Sequence, residues 1–162
     1  MAELSLLKLK RLIAECDKHQ QRMQFALCRI EPKLPLTRQS YLALDDEDIS
    51  HIDQFLFRFS KLQDALGQRF FKAILELLEE DVEGIPFIDI LNKLEKLNLI
   101  ESATQWQELR EIRNAVSHEY DDSPELMAQV LNTVFSARVE LFQVYDRLKA
   151  AYQERQSDES RH

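Results

Sequence analysis

Residues 48–80 read DISHIDQFLFRFSKLQDALGQRFFKAILELLEE, and this stretch decides the fold class. Phe55, Phe59, Leu62, Leu66, Phe70, Ala73 and Leu77 recur in steps of three and four. That spacing lays one apolar stripe along a helix of 3.6 residues per turn. The acidic run from Asp45 to Asp48 sits where the positive end of a helix dipole would be. A long helix over about 48–80 is predicted, with its apolar side turned to a core.

The pattern extends in both directions. Toward the N-terminus, Leu6, Leu9, Ile13, Met23 and Leu27 predict a first helix over about 3–30, ended by Pro32 and Pro35 in the loop PKLPLTR. Toward the C-terminus, Gly84 and Pro86 break the chain. A short helix follows, carrying Ile88, Leu91, Leu94 and Leu97. Ser102 or Thr104 can cap the next helix, and Ser123-Pro124-Glu125 announces the last one. That last helix holds Leu126, Val130, Val134, Ala137, Leu141, Val144 and Leu148. Only two Gly and four Pro occur in 162 residues, while 44% are hydrophobic. Good helix formers and few turn residues leave little room for hairpins. The expectation is an all-α domain over 1–152, an antiparallel up-down bundle of four main helices plus one short helix. A polar tail over 153–162 is expected to fray beyond Tyr152.

The net charge of −8 argues against broad binding to nucleic acid or anionic membranes, and leaves room for a local basic site. Cys16 and Cys28 lie twelve positions apart in the first helix. That is about 18 Å along its axis, too far for a disulfide. Free thiols point to a reducing compartment. The opening run MAELSLLKLKRLIAE is interrupted by lysines, as in an amphipathic helix and unlike a signal peptide. No window has the length of a membrane span. A cytoplasmic protein that does not engage the membrane is expected. Repeats and Gly-rich phosphate loops are absent.

Chemistry concentrates in RNAVSHEY, residues 113–120. On a continuous helix, Leu109, Ile112 and Val116 face the core. Arg113 and His118 then point about 140° apart. Two such side chains do not easily close on one atom within a chain. They can meet if two copies face each other across a twofold axis. The types suit RNA cleavage without metal. Histidine titrates near neutrality and can take or give a proton; arginine stays charged and can grip a phosphate. Asn114 could orient His118 or donate to phosphate. The plainer alternative is a solvated helix end with His118 favoured by the dipole.

The fuller string, Arg113-Asn114-x-x-x-His118-x-Tyr120, resembles the motif of HEPN domains, particularly the HepT-like branch, over roughly residues 50–150. The resemblance implies a homodimer whose two motifs face each other in a cleft. It implies a metal-independent endoribonuclease, often a toxin, needing no cofactor. By carry-over, Arg113 and His118 are the catalytic pair and Asn114 the supporting polar residue. Tyr120 matches the tyrosine that a minimal nucleotidyltransferase antitoxin modifies with AMP. The same superfamily also contains non-catalytic helical partners of nucleotidyltransferases, so that alternative stays open.

A weaker candidate for RNA contact is a basic stripe, Arg58, Lys61, Arg69 and Lys72, within about 80° on the wheel of the second long helix. Arg110 joins it on the polar face of the motif helix. An ordinary solvated face is the competing reading, and Glu76 on the same stripe favours it. His118 and Asp122 at i, i+4 lack a third ligand, so no metal site is expected. Trp106 is expected to be a packing anchor. His19 and His51 are expected to be isolated surface residues.

Overall fold

Asp45 caps the helix that the apolar stripe predicts. In the computed structural model, which describes residues 2–118 and 122–161, its carboxylate accepts from the backbone N–H of Asp48 at 2.8 Å. Asp48 accepts in turn from the N–H of Asp45 at 3.1 Å, closing a reciprocal cap. Helix α3 then spans Asp46–Ala65. It continues through a π-helical turn, Leu66–Phe70, into α4, Phe71–Leu77. Glu79, at φ 62°, lies beyond the end of this run. The expected helix is therefore present, with a π turn that the apolar spacing did not announce.

Helix α1, Ala2–Ile30, packs on α3 more extensively than any other pair of elements. Its partners run in opposite order: Arg29 meets Asp48, His19 meets Arg58, and Glu15 meets Arg69. The two helices are therefore antiparallel. Between them Leu9, Leu12, Cys16, Met23 and Ile30 are buried with Ile52, Phe55, Phe59 and Leu62. Each fully buried aliphatic or aromatic side chain contributes about 1.5–3 kcal/mol.

The proline segment is not purely loop. A short 3-10 turn, Glu31–Lys33, leads to α2, Arg38–Leu42, capped by Thr37. Asn132 holds this segment by bonding both the N–H and the carbonyl of Leu36, at 2.7 and 2.8 Å. Helix α5, Phe87–Lys96, and helix α6, Ala103–Val116, follow. The last helix, α7, runs Pro124–Ser160 from a Ser123 cap. It extends past Tyr152, where the sequence predicts a polar tail, and keeps helical backbone as far as Ser160. Gln153, Glu154, Arg155 and Gln156 are good helix formers and prolong α7, and residues 153–160 stay mostly exposed. Phe135 of α7 meets Phe55 with ring centroids 4.5 Å apart, which ties α7 to α3.

The protein is all-α, and no strand occurs among the described residues. Among those residues, no helix is long and apolar enough to cross a membrane.

Candidate functional site

Helix α6 is positioned from beneath by Trp106 and Leu109, both buried. Trp106 meets Phe71 edge-on at 4.6 Å, so it is the packing anchor expected of it. Its ring also lies over the π turn, where a Cβ on Gly67 would fall 3.0 Å from Trp106 Cζ2. Gln63 of α3, itself buried, donates to the carbonyl of Leu109 at 2.7 Å. These contacts fix the register of α6 against α3.

The register brings Arg113 onto Asp64. Arg113 Nη2 and Nε donate to the two carboxylate oxygens at 3.0 and 3.3 Å, a bidentate pair with both side chains half-buried. Nη1 lies 3.5 Å from the Ser117 hydroxyl. A guanidinium offers two forked edges. Asp64 occupies the Nε–Nη2 edge, and the Nη1 side carries the long contact with the exposed Ser117 hydroxyl. Asp64 was not among the residues singled out from sequence. Its partner lies 49 positions away, and an Asp on a helix face carries no local signal of such a role.

Asn114 is exposed on α6, and its carbonyl accepts from the N–H of Ser117 at 3.1 Å. The helix ends at Val116, and His118 follows two residues later, exposed, with its N–H on the carbonyl of Ala115 at 3.2 Å. Ser117 keeps a helical backbone (φ −75°, ψ −13°), and its N–H and that of His118 bond three residues back, so the end of α6 tightens and the wheel's step of about 100° per residue does not carry through unchanged to His118. Tyr120, the candidate for modification, lies outside the described residues.

The predicted basic stripe divides. Arg58 Nη1 lies 3.0 Å from His19 Nδ1, and Arg69 pairs with Glu15 at 2.7 Å, so both are turned toward α1. Lys61 and Lys72 are exposed. Lys61 and Arg58 each sit 5.5 Å from the centroid of the Phe57 ring. Arg110 lies 6.0 Å from the centroid of Phe87. The residues that sequence reasoning missed here are Phe57 and Phe87, whose aromatic faces carry the cations.

Both histidines expected to be isolated have neighbours. His19 is only 7% exposed. Burial holds its pKa below the ordinary histidine value, and the nearby Arg58 adds to the effect. His51 is half-buried, with its ring stacked 5.9 Å from that of Phe25. Both cysteines are free. The Cys16 thiol is pushed up to about 12, mainly by burial, which makes it unreactive; Cys28 is exposed.

Charge distinguishes the two sides of α6. Toward α7 there is a groove floored by Ile112, Ala115, Val130 and Val134, with Glu108 and Glu111 among its lining residues. Those carboxylates would repel a phosphate chain. Toward α3 the helix presents Arg110 and Arg113. An anionic ligand would therefore be favoured on the α3 side.

No family model, curated protein or solved structure matches the chain.

Proposed function

We propose that this chain is a HEPN-type, metal-independent endoribonuclease that acts as a homodimeric helical bundle. In this reading it is a toxin neutralised by a minimal nucleotidyltransferase. The observation that carries the proposal is the anchoring of Arg113 by Asp64. It fixes a guanidinium in the last turn of α6, four residues before Ser117, where the helix has ended and the chain leads to His118. A permanently charged, pre-oriented group close in the chain to a histidine that can carry a proton suits phosphodiester transesterification.

In the proposed reaction the substrate 2′-OH attacks the adjacent phosphorus and the 5′-oxygen leaves. The products are a 2′,3′-cyclic phosphate and a 5′-hydroxyl. His118 of one copy takes the 2′-OH proton, and a histidine facing it across the twofold axis gives one to the leaving oxygen. Arg113 balances the charge that grows on the non-bridging oxygens, and Asn114 donates to the same phosphate. AMP on Tyr120 would place a second anion beside this centre and exclude RNA by repulsion and bulk.

A second reading, a non-catalytic partner of a nucleotidyltransferase, draws on the apolar groove between α6 and α7 with its acidic residues. Assay of the purified chain in EDTA separates the two. The ribonuclease reading predicts cyclic-phosphate ends on single-stranded RNA, with His118→Ala and Arg113→Ala slowed by about 10²-fold or more. Wild-type protein that leaves RNA intact, yet forms a stable complex with a nucleotidyltransferase, would overturn it in favour of the second.

A further inference from the structure

The solvent side of α3 carries a feature that the motif does not include. Phe57, Lys61, Asp64 and Gly67 stand at i, i+4, i+7 and i+10, and therefore along one side of the helix. Phe57 is 53% exposed among polar neighbours, Asp53, Gln54, Ser60 and Lys61. Arg58 and Lys61 both lie 5.5 Å from its ring centroid. One turn on, Asp64 holds Arg113. A further turn on, Gly67 has no side chain, and Arg110 Nη1 approaches to 3.7 Å of where its Cβ would be. Arg110 in turn lies 6.0 Å from the centroid of Phe87, itself 37% exposed.

The result is a track with a ring at each end and cations between them: Phe57, Lys61, Arg113, Arg110, Phe87. From Phe57 to Gly67 it covers about 15 Å of helix axis, the length of four or five stacked nucleotides at about 3.4 Å each. An apolar protein contact would want a contiguous patch, and Phe57 has polar groups around it. Separate aromatic faces with interspersed guanidinium and ammonium groups match an unpaired nucleic-acid strand, whose bases stack and whose phosphates pair. Asp53, one turn before Phe57, places a negative charge at the near end of the track.

We propose that this face of α3 and α6 is the strand-binding surface for single-stranded RNA, with one base stacked on Phe57 and its phosphates on Lys61 and Arg110. The surface leads the strand across Arg113. The proposal rests on the ribonuclease reading but is separable from it. A base on Phe57 lies about 10 Å from Asp64 along the axis, so it is a flanking nucleotide and not the one cut. Phe57 is therefore a binding residue that holds a flanking base by stacking, and not a catalytic one.

The test uses the full-length chain and fluorescein-labelled RNA 12-mers, single-stranded and duplex, with binding followed by anisotropy in EDTA. A His118→Ala background keeps the RNA intact. Phe57→Ala and Lys61→Gln are both exposed substitutions, and unchanged melting curves exclude misfolding. Each is expected to weaken single-strand binding by about fivefold or more, to leave duplex binding unaffected, and in Lys61→Gln to lower the salt dependence. Single-strand affinity unchanged in both variants overturns the proposal, as does a change in sedimentation without a change in affinity, which would make Phe57 a contact between copies. If the wild type binds in a Phe57-dependent way but never cuts, the track stands and the ribonuclease reading falls. If it cuts while Phe57→Ala leaves KM for the 12-mer unchanged, the reverse holds.

Discussion

Asp64 spends both carboxylate oxygens on Arg113, at 3.0 and 3.3 Å, and both side chains are between a quarter and a third exposed. A pair at that depth is screened and contributes about 0.5–1 kcal/mol to stability. Its larger effect is on direction. Without Asp64 the guanidinium could rotate about four bonds, and misplacement by about 1 Å can cost on the order of 10²-fold in rate. Asp64→Ala is therefore expected to lower kcat for RNA cleavage by about 10- to 100-fold while KM changes little. A double-mutant cycle with Arg113→Ala should give a stability coupling no greater than about 1 kcal/mol. Equal losses in kcat/KM and in folding stability would show that Asp64 is structural and not a positioning residue. At this scale the sequence was informative about Arg113 and silent about Asp64. A motif is a local pattern, whereas an ion pair between two helices depends on their register. His19 teaches the same lesson. It looks isolated in sequence because its partner Arg58 is 39 residues away, and its burial depends on α1 lying antiparallel on α3.

Among the helices, the stripe from Phe55 to Leu77 made the α3–α4 run legible, since its mean spacing is near 3.6. The π turn inside it, Leu66–Phe70, was not legible, because the apolar spacing runs through it unbroken. Trp106 of α6 is 1% exposed and packs directly over Gly67. Likewise α6 ends at Val116, which a wheel drawn through His118 does not foresee. Gly67 has no positive φ, so close approach is what requires it. Gly67→Ala would gain about 0.5–1 kcal/mol of helix preference. It would also drive a methyl to 3.0 Å from an indole ring that is buried and packed edge-on with Phe71. Overpacking of this kind costs about 1–3 kcal/mol, so the steric term wins. Urea denaturation should show a net loss of about 1–2 kcal/mol, with Gly67→Val worse. A rise in the urea midpoint of Gly67→Ala would mean that α6 can move away from the π turn.

For the molecule as a whole, folding below neutral pH is coupled to protonation through two groups at different heights of the α1–α3 pair, His19 and Asp48. His19 is depressed mainly by burial, with Arg58, Lys61 and Arg69 reinforcing the effect and Glu15 opposing it. Asp48 is held well below the usual carboxylate range. Its bond from Lys33 is the largest cause, and its bonds from Arg29 and the Asp45 N–H reinforce it against the opposing effect of burial. In both cases the unfolded chain binds the proton more readily, so stability must fall as pH falls. The His19 loss begins below the unfolded histidine value of about 6.5 and levels off below its depressed folded value. The Asp48 contribution is complete above the unfolded carboxylate value of about 3.9 and is lost below it. Melting curves from pH 7.5 to 3 should therefore decline in two stages, by about 2–4 °C for each kcal/mol lost in a chain of this size. His19→Gln should flatten the stage near pH 6. Asp48→Asn should flatten the stage below pH 4 and, by leaving Arg29 and Lys33 without their buried partner, lower the melting point at neutral pH as well. The acidic run at Asp45–Asp48, readable in sequence as a favourable helix start, is thus also the point where α3 is tied to α1 and to the turn beyond it. A wild-type chain that melts at one temperature from pH 7.5 to pH 5 would show that His19 is solvated in solution, and that α1 opens from α3 near Arg58.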